Sequence, residues 1–95
     1  MRGHRAHATD ANHAEIAQAF RALGCSVADT HTIGAGFPDI VVGWAGRNHM
    51  IEIKTARGIH TPAEREFANE WRGKIITVRT TEDVVELVNA WRMAK

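Results

Sequence analysis

Three charged residues stand where the strands of this chain should be apolar: Asp39, Glu52 and Lys54. Asp39 opens the run Asp-Ile-Val-Val-Gly-Trp, and Glu52 and Lys54 close the run from His49 to Thr55, whose apolar members are Met50, Ile51 and Ile53. Side chains alternate faces along a strand, so Glu52 and Lys54 share a face with Met50. A hairpin centred between Gly46 and Arg47 pairs Asp39 with Lys54 and Val41 with Glu52. Asp39 then sits diagonally from Glu52, within reach of a shared small ion. The register decides this, because a slip of one residue turns a whole strand over.

Two carboxylates and a lysine so placed suit phosphodiester hydrolysis. Hard oxygen donors hold Mg²⁺ or Mn²⁺. Such an ion polarises a phosphoryl oxygen and lowers the pKa of a water. Lys54 can hold or deprotonate the attacking water, or neutralise charge on the pentacovalent state. The backbone carbonyl of Ile53, pointing across the sheet, is a further candidate ligand.

These residues need a scaffold, and the hydrophobic pattern supplies one. A helix is expected from about Ala11 to Leu23, with Ile16, Phe20 and Leu23 on one face, Thr9 or Asp10 as cap and Gly24 as stop. Cys25 to Thr32 reads as a short strand. Gly34-Ala-Gly-Phe-Pro38 is a loop, since Pro38 disfavours helix just before it. Asp39 to Trp44 and His49 to Thr55 form a hairpin around a turn at Ala45-Gly-Arg-Asn48. After a loop from Ala56 to His60, Thr61-Pro-Ala-Glu64 is a capping box with proline at the first helical position. That helix should run to about Trp71 and stop near Gly73. Lys74 to Arg79 is a strand, and Thr81 can cap a last helix that buries Val84, Leu87, Val88 and Trp91. The order αβββαβα predicts an α/β fold, a mixed central sheet flanked by helices. The 95 residues support a single domain, expected over residues 10–95, with residues 1–9 a mobile N-terminal segment.

Pro38-Asp39, thirteen residues on to Glu52, and then Glu52-Ile53-Lys54 resemble the signature of the PD-(D/E)XK nuclease superfamily. The family core is αβββαβ, with the signature on its second and third strands, as here. The Gly-Phe-Pro-Asp lead-in, Asn12 and Glu15 on the early helix, and Lys-Thr-x-x-Gly…Thr-Pro after the hairpin resemble the VRR-NUC branch, which includes stand-alone, phage-type proteins of this size. The likeness covers roughly residues 11–91 and implies a restriction-endonuclease-like fold. It implies that an acidic residue on the first helix joins the metal site, and Glu15 is the matching position. It also implies a glutamine on the helix after the third strand. This chain has Glu64 there, a departure from the pattern, and Glu64 also completes the capping box. Stand-alone members resemble Holliday-junction resolvases, which implies a homodimer and a branched or four-way DNA substrate.

Composition narrows the alternatives. A net charge of +1 does not suit a protein that holds nucleic acid by bulk charge, although acidic residues at a metal site cancel basic ones elsewhere. Arg57, His60, Lys74 and Arg79, with Arg5, are candidates for a DNA backbone path or plain surface charge. His4, His7 and His13 match no familiar zinc spacing. Trp71 and Trp91 fall on helical stripes, as core or dimer-interface residues. The lone Cys25 rules out an intramolecular disulfide. Nothing suggests a membrane partner, a secretory signal or a nucleotide cofactor, and a cytoplasmic location is expected. The expected function is a Mg²⁺- or Mn²⁺-dependent DNA endonuclease. The alternative is a catalytically silent nucleic-acid-binding module on the same fold. A more distant reading is a dimeric structural protein with surface histidines, in which the three key side chains point apart. The plain alternative for Asp39, Glu52 and Lys54 is a solvated sheet face with cross-strand ion pairs, which contribute little.

Overall fold

The computed structural model describes residues 4–94. Seven elements follow in the order α1 (His4–Ala22), β1 (Ser26–Asp29), β2 (Ile40–Trp44), β3 (Arg47–Ile53), α2 (Pro62–Glu70), β4 (Ile75–Val78) and α3 (Thr81–Met93). This is the expected αβββαβα arrangement. The four strands form one sheet in the order β1-β2-β3-β4. The β1/β2 and β2/β3 pairs are antiparallel and β3/β4 is parallel, so the sheet is mixed. A parallel pair needs a crossover, and α2 lies within that connection.

The first helix begins earlier than expected. It starts at His4 rather than near Ala11, so residues 4–9 are helical, while residues 1–3 lie outside the described residues. Between His4 and Asp10 there is no glycine or proline, and Ala6 and Ala8 favour helix, so the helix runs through Thr9 and Asp10 instead of starting after them. At the last helix the cap is Thr80 rather than Thr81. The Thr80 side chain accepts from the Asp83 N–H, and the Asp83 carboxylate accepts from the Thr80 N–H, closing a capping box.

The hairpin register also differs. Ile40 pairs with Ile51 and Trp44 with Arg47, so the turn is only Ala45-Gly46 and not four residues. Both turn residues have positive φ, 52° and 79°, as a two-residue turn matching the strand twist requires. Pairing is therefore shifted by two residues from the expected one. An even shift keeps every side chain on its face. Asp39, just before Ile40, now sits level with Glu52 rather than Lys54.

Alternation assigns the two faces. Ile40, Val42, Ile51 and Val78 are fully or almost fully buried on one face, against Ile16 and Phe20 of α1 and Val84 and Val88 of α3. The stripes read from the sequence for α1 and α3 are those the core uses. The other face carries Glu52 and Lys54 and meets α2, which contributes no buried residue. Trp91 packs at the core margin, 6.2 Å from Phe20, whereas Trp71 is exposed. Among the described residues no helix is long and apolar enough to cross a membrane.

Candidate active site

Three elements bring the charged groups together. Asp39 ends the Gly34–Pro38 loop and is tied to β3 twice. Its N–H donates to the Ile51 carbonyl at 3.1 Å, and its Oδ2 accepts from the Ile53 N–H at 2.8 Å. The carboxylate thus stands in for a strand acceptor, which fixes its position at the sheet end. Among the described residues its second oxygen makes no hydrogen bond. Strand N–H and C=O groups of one residue point to the same side, so the Ile53 carbonyl is directed towards Asp39 as well.

Among the described residues Glu52 is the one charged residue in the buried set, 4% exposed. Lys54 lies two residues on, with its Nζ 3.5 Å from Glu52 Oε2 and 2.7 Å from Glu64 Oε1. Glu64 reaches the site because the capping box starts α2 there. Its Oε1 also accepts from the Thr61 N–H at 2.8 Å, and its own N–H donates to Thr61 Oγ1 at 3.1 Å. Glu64 is therefore both a cap and a partner of Lys54. Gly36 permits the approach of loop and helix: a Cβ on it would meet the Ala63 carbonyl oxygen at 2.3 Å. Asn12 of α1 closes the site from behind, donating from Nδ2 to the Lys54 carbonyl at 3.2 Å.

Burial sets the electrostatics. It pushes Glu52 up to about 9, helped by its hydrogen bond with Glu64 and the negative charge of Asp39; Lys54 pulls only partly the other way. Burial also acts to raise Glu64, but hydrogen bonds with Glu52, Lys54 and the Thr61 backbone outweigh it and hold Glu64 at about 2. Burial acts to lower Lys54, yet the Glu64 carboxylate and then Glu52 raise it above its ordinary value. At neutral pH the site therefore holds a protonated Glu52, an ionised Glu64 and an ammonium between them.

The Glu52 carboxyl, the Asp39 oxygen without a donor and the Ile53 carbonyl are all hard oxygen donors, the type that Mg²⁺ or Mn²⁺ takes. A cavity of about 250 Å³ opens beside Glu52, with His60, Arg65 and Thr77 on its wall.

The other candidate residues are placed unevenly. Glu15 is exposed, one turn beyond Asn12, and does not join Asp39 and Glu52 in a ligand cluster among the described residues. His60 does line the cavity, with Nε2 3.0 Å from Thr77 Oγ1. The Arg79 guanidinium is drawn inward: its Nη1 donates to the Thr55 and Gly58 carbonyls, each at 2.7 Å, and holds the loop after Lys54 in shape. Arg57 is exposed on that loop. Lys74 precedes β4 beside His49, at the far end of β3 from Lys54. The sequence reading missed Arg65, whose Nη1 donates to the His60 carbonyl at 2.9 Å, because a helix-surface arginine carries no local signal.

It also missed a second cluster. His13, Asp29 and His31 bring one ligand atom each to within 4.8 Å of one another. Their separations of sixteen and two residues match no local motif, so only the fold could reveal them.

Comparisons of the chain with protein-family models, with curated proteins and with solved structures find no match.

Proposed function

We propose that the chain is a divalent-cation-dependent endodeoxyribonuclease of the PD-(D/E)XK type, in the VRR-NUC branch, acting as a homodimer on double-stranded or branched DNA. The observation that carries this reading is the convergence of Asp39, Glu52 and Lys54 on one sheet face, with Glu52 buried and Lys54 held 3.5 Å from it. Burying a carboxyl group is unfavourable unless a partner or a function compensates.

Asp39, Glu52 and the Ile53 carbonyl would hold Mg²⁺ or Mn²⁺. When bound, such an ion supplies Lewis acidity towards the phosphoryl group and acidity to a water. The remaining work falls to the chain. Lys54, raised by its carboxylate partners, stays an ammonium and stabilises negative charge growing on the phosphoryl oxygens. This favours the electrostatic role over deprotonation of water. Glu64 orients the ammonium, and Asn12 steadies the backbone behind it. Hydrolysis adds water at phosphorus and expels the sugar alkoxide, so one fixed cation beside the phosphoryl group is of direct use.

The test is cleavage of linear, nicked, flap and four-way DNA with Mg²⁺ and with Mn²⁺. Wild-type protein should cut at least one of them, and Lys54→Ala should lower the rate by a factor of about a hundred or more while staying folded by circular dichroism. Wild-type protein that cuts none of the panel with either ion would sink the proposal.

One observation favours a silent binding module instead: the ammonium is already engaged by Glu64 at 2.7 Å. That reading predicts DNA binding without cutting, and no gain of cleavage in Glu64→Gln.

A further inference from the structure

The Glu52 site leaves His13, Asp29 and His31 unused. His13 belongs to α1, Asp29 ends β1, and His31 lies in the turn after it. Asp29 pairs with Ile40 and shares its face, the one α1 covers. The cluster is therefore at the same end of the sheet as Asp39 but on the opposite face from Glu52.

Within the cluster the His31 N–H donates to Asp29 Oδ1 at 3.1 Å and His31 Nδ1 lies 2.5 Å from the same oxygen, so the open edge of the cluster is between Asp29 Oδ2 and His13 Nε2. His13 Nε2 is shielded from solvent and has no hydrogen-bond partner among the described residues. A buried polar atom without a partner is unfavourable and calls for an explanation, such as a missing ion. Asp29 Oδ2 is 3.7 Å from it, too far for a hydrogen bond. Two ligand atoms on a tetrahedral zinc, each bonded at about 2.0–2.1 Å, stand about 3.3 Å apart. A small side-chain adjustment would close that difference. The Asp29 and His31 side chains are half exposed, at 53% and 54%, so an ion has a route in.

We propose that His13, Asp29 and His31 form a second cation site, taking zinc or a similar borderline transition ion, on the sheet face opposite Glu52. Two imidazoles and one carboxylate suit such ions, whereas Mg²⁺ takes oxygen donors. Three protein ligands leave a coordination position for water. The ion would fasten α1 to the edge strand. It would also steady the base of the loop leading to Asp39, where the Thr30 N–H donates to the Asp39 carbonyl at 2.9 Å and Thr30 Oγ1 donates to the Pro38 carbonyl at 2.8 Å. The site does not depend on the nuclease reading.

Calorimetric titration of the full chain with zinc chloride tests this, alongside His13→Gln, Asp29→Asn and the double variant Asp39→Asn/Glu52→Gln. The expected result is one zinc per wild-type chain, a tenfold or greater loss of affinity in each of the first two variants, and retained binding in the double variant. In nuclear magnetic resonance spectra of wild-type protein, the ring signals of His13 and His31 should move with zinc. No binding by wild-type protein, or affinity unchanged in both His13→Gln and Asp29→Asn as the N-terminal His4 and His7 alone would give, overturns the proposal. Unmoved His13 ring signals overturn it even if a variant fails to fold.

Discussion

Burial pushes Glu52 up to about 9 while Glu64 is held at about 2, so the two carboxyls act in separate pH windows. Glu52 has a folded pKa above its unfolded value of about 4.3. Its contribution to stability is complete below that value and is lost as pH rises through about 9. Glu64 is depressed, so its contribution is present above about pH 4.3 and is lost as pH falls towards 2. Without metal, the melting temperature should therefore decline from about pH 5 to 9, and Glu52→Gln should flatten the decline. At pH 9 the variant should be more stable than wild type by on the order of 1 kcal/mol or more, measured by thermal melts. An unchanged slope in the variant would show that the buried carboxyl is not its source. The types and spacing of Asp39, Glu52 and Lys54 were legible in the sequence because strand alternation alone puts the last two on one face. The partnership of Lys54 with Glu64 was not, since it depends on where a crossover helix lands.

Elements place these groups through two backbone positions. Gly36 has φ +79° and no room for a Cβ against Ala63. Gly36→Ala should push the start of α2 off the loop, cost about 1–3 kcal/mol in chemical denaturation and separate Glu64 from Lys54. A neutral result would mean that loop and helix do not pack as described. Ala45 is strained in the opposite sense, a residue with a Cβ held at φ +52° in the hairpin turn. Ala45→Asn gives Asn-Gly, the preferred pair for such turns, and should add about 0.5–1 kcal/mol without altering the site. The capping box at Thr61 was plain in the sequence because a cap is local chemistry. The hairpin register was misplaced by two residues because Ala45 hid a two-residue turn that asparagine or glycine would have announced. An even shift preserves the faces, so Glu52 and Lys54 keep the shared face that strand alternation gives them.

At the scale of the molecule the two faces differ in how they are held. One is a core of aliphatic residues closed by α1 and α3; the other rests on α2, which buries nothing completely, and on polar contacts around Lys54. An ion that binds only the folded chain stabilises it by mass action, about 2.7 kcal/mol at a hundred times its dissociation constant. Mn²⁺ should therefore raise the melting temperature of wild-type protein, and Asp39→Asn should abolish the rise. Equal rises in both would place the ion elsewhere.

By itself the sequence determined the order of elements, the stripes that fill the core and the face shared by Glu52 and Lys54. These follow from periodicity and capping, which act over a few residues. Only the tertiary structure decided that Asp39 lies level with Glu52, that Glu64 meets Lys54, that Glu15 stands apart, and that His13 meets Asp29 and His31. Each of these depends on register or on the docking of distant segments, where the free energy is set by burial and shape across the whole sheet and by no local motif.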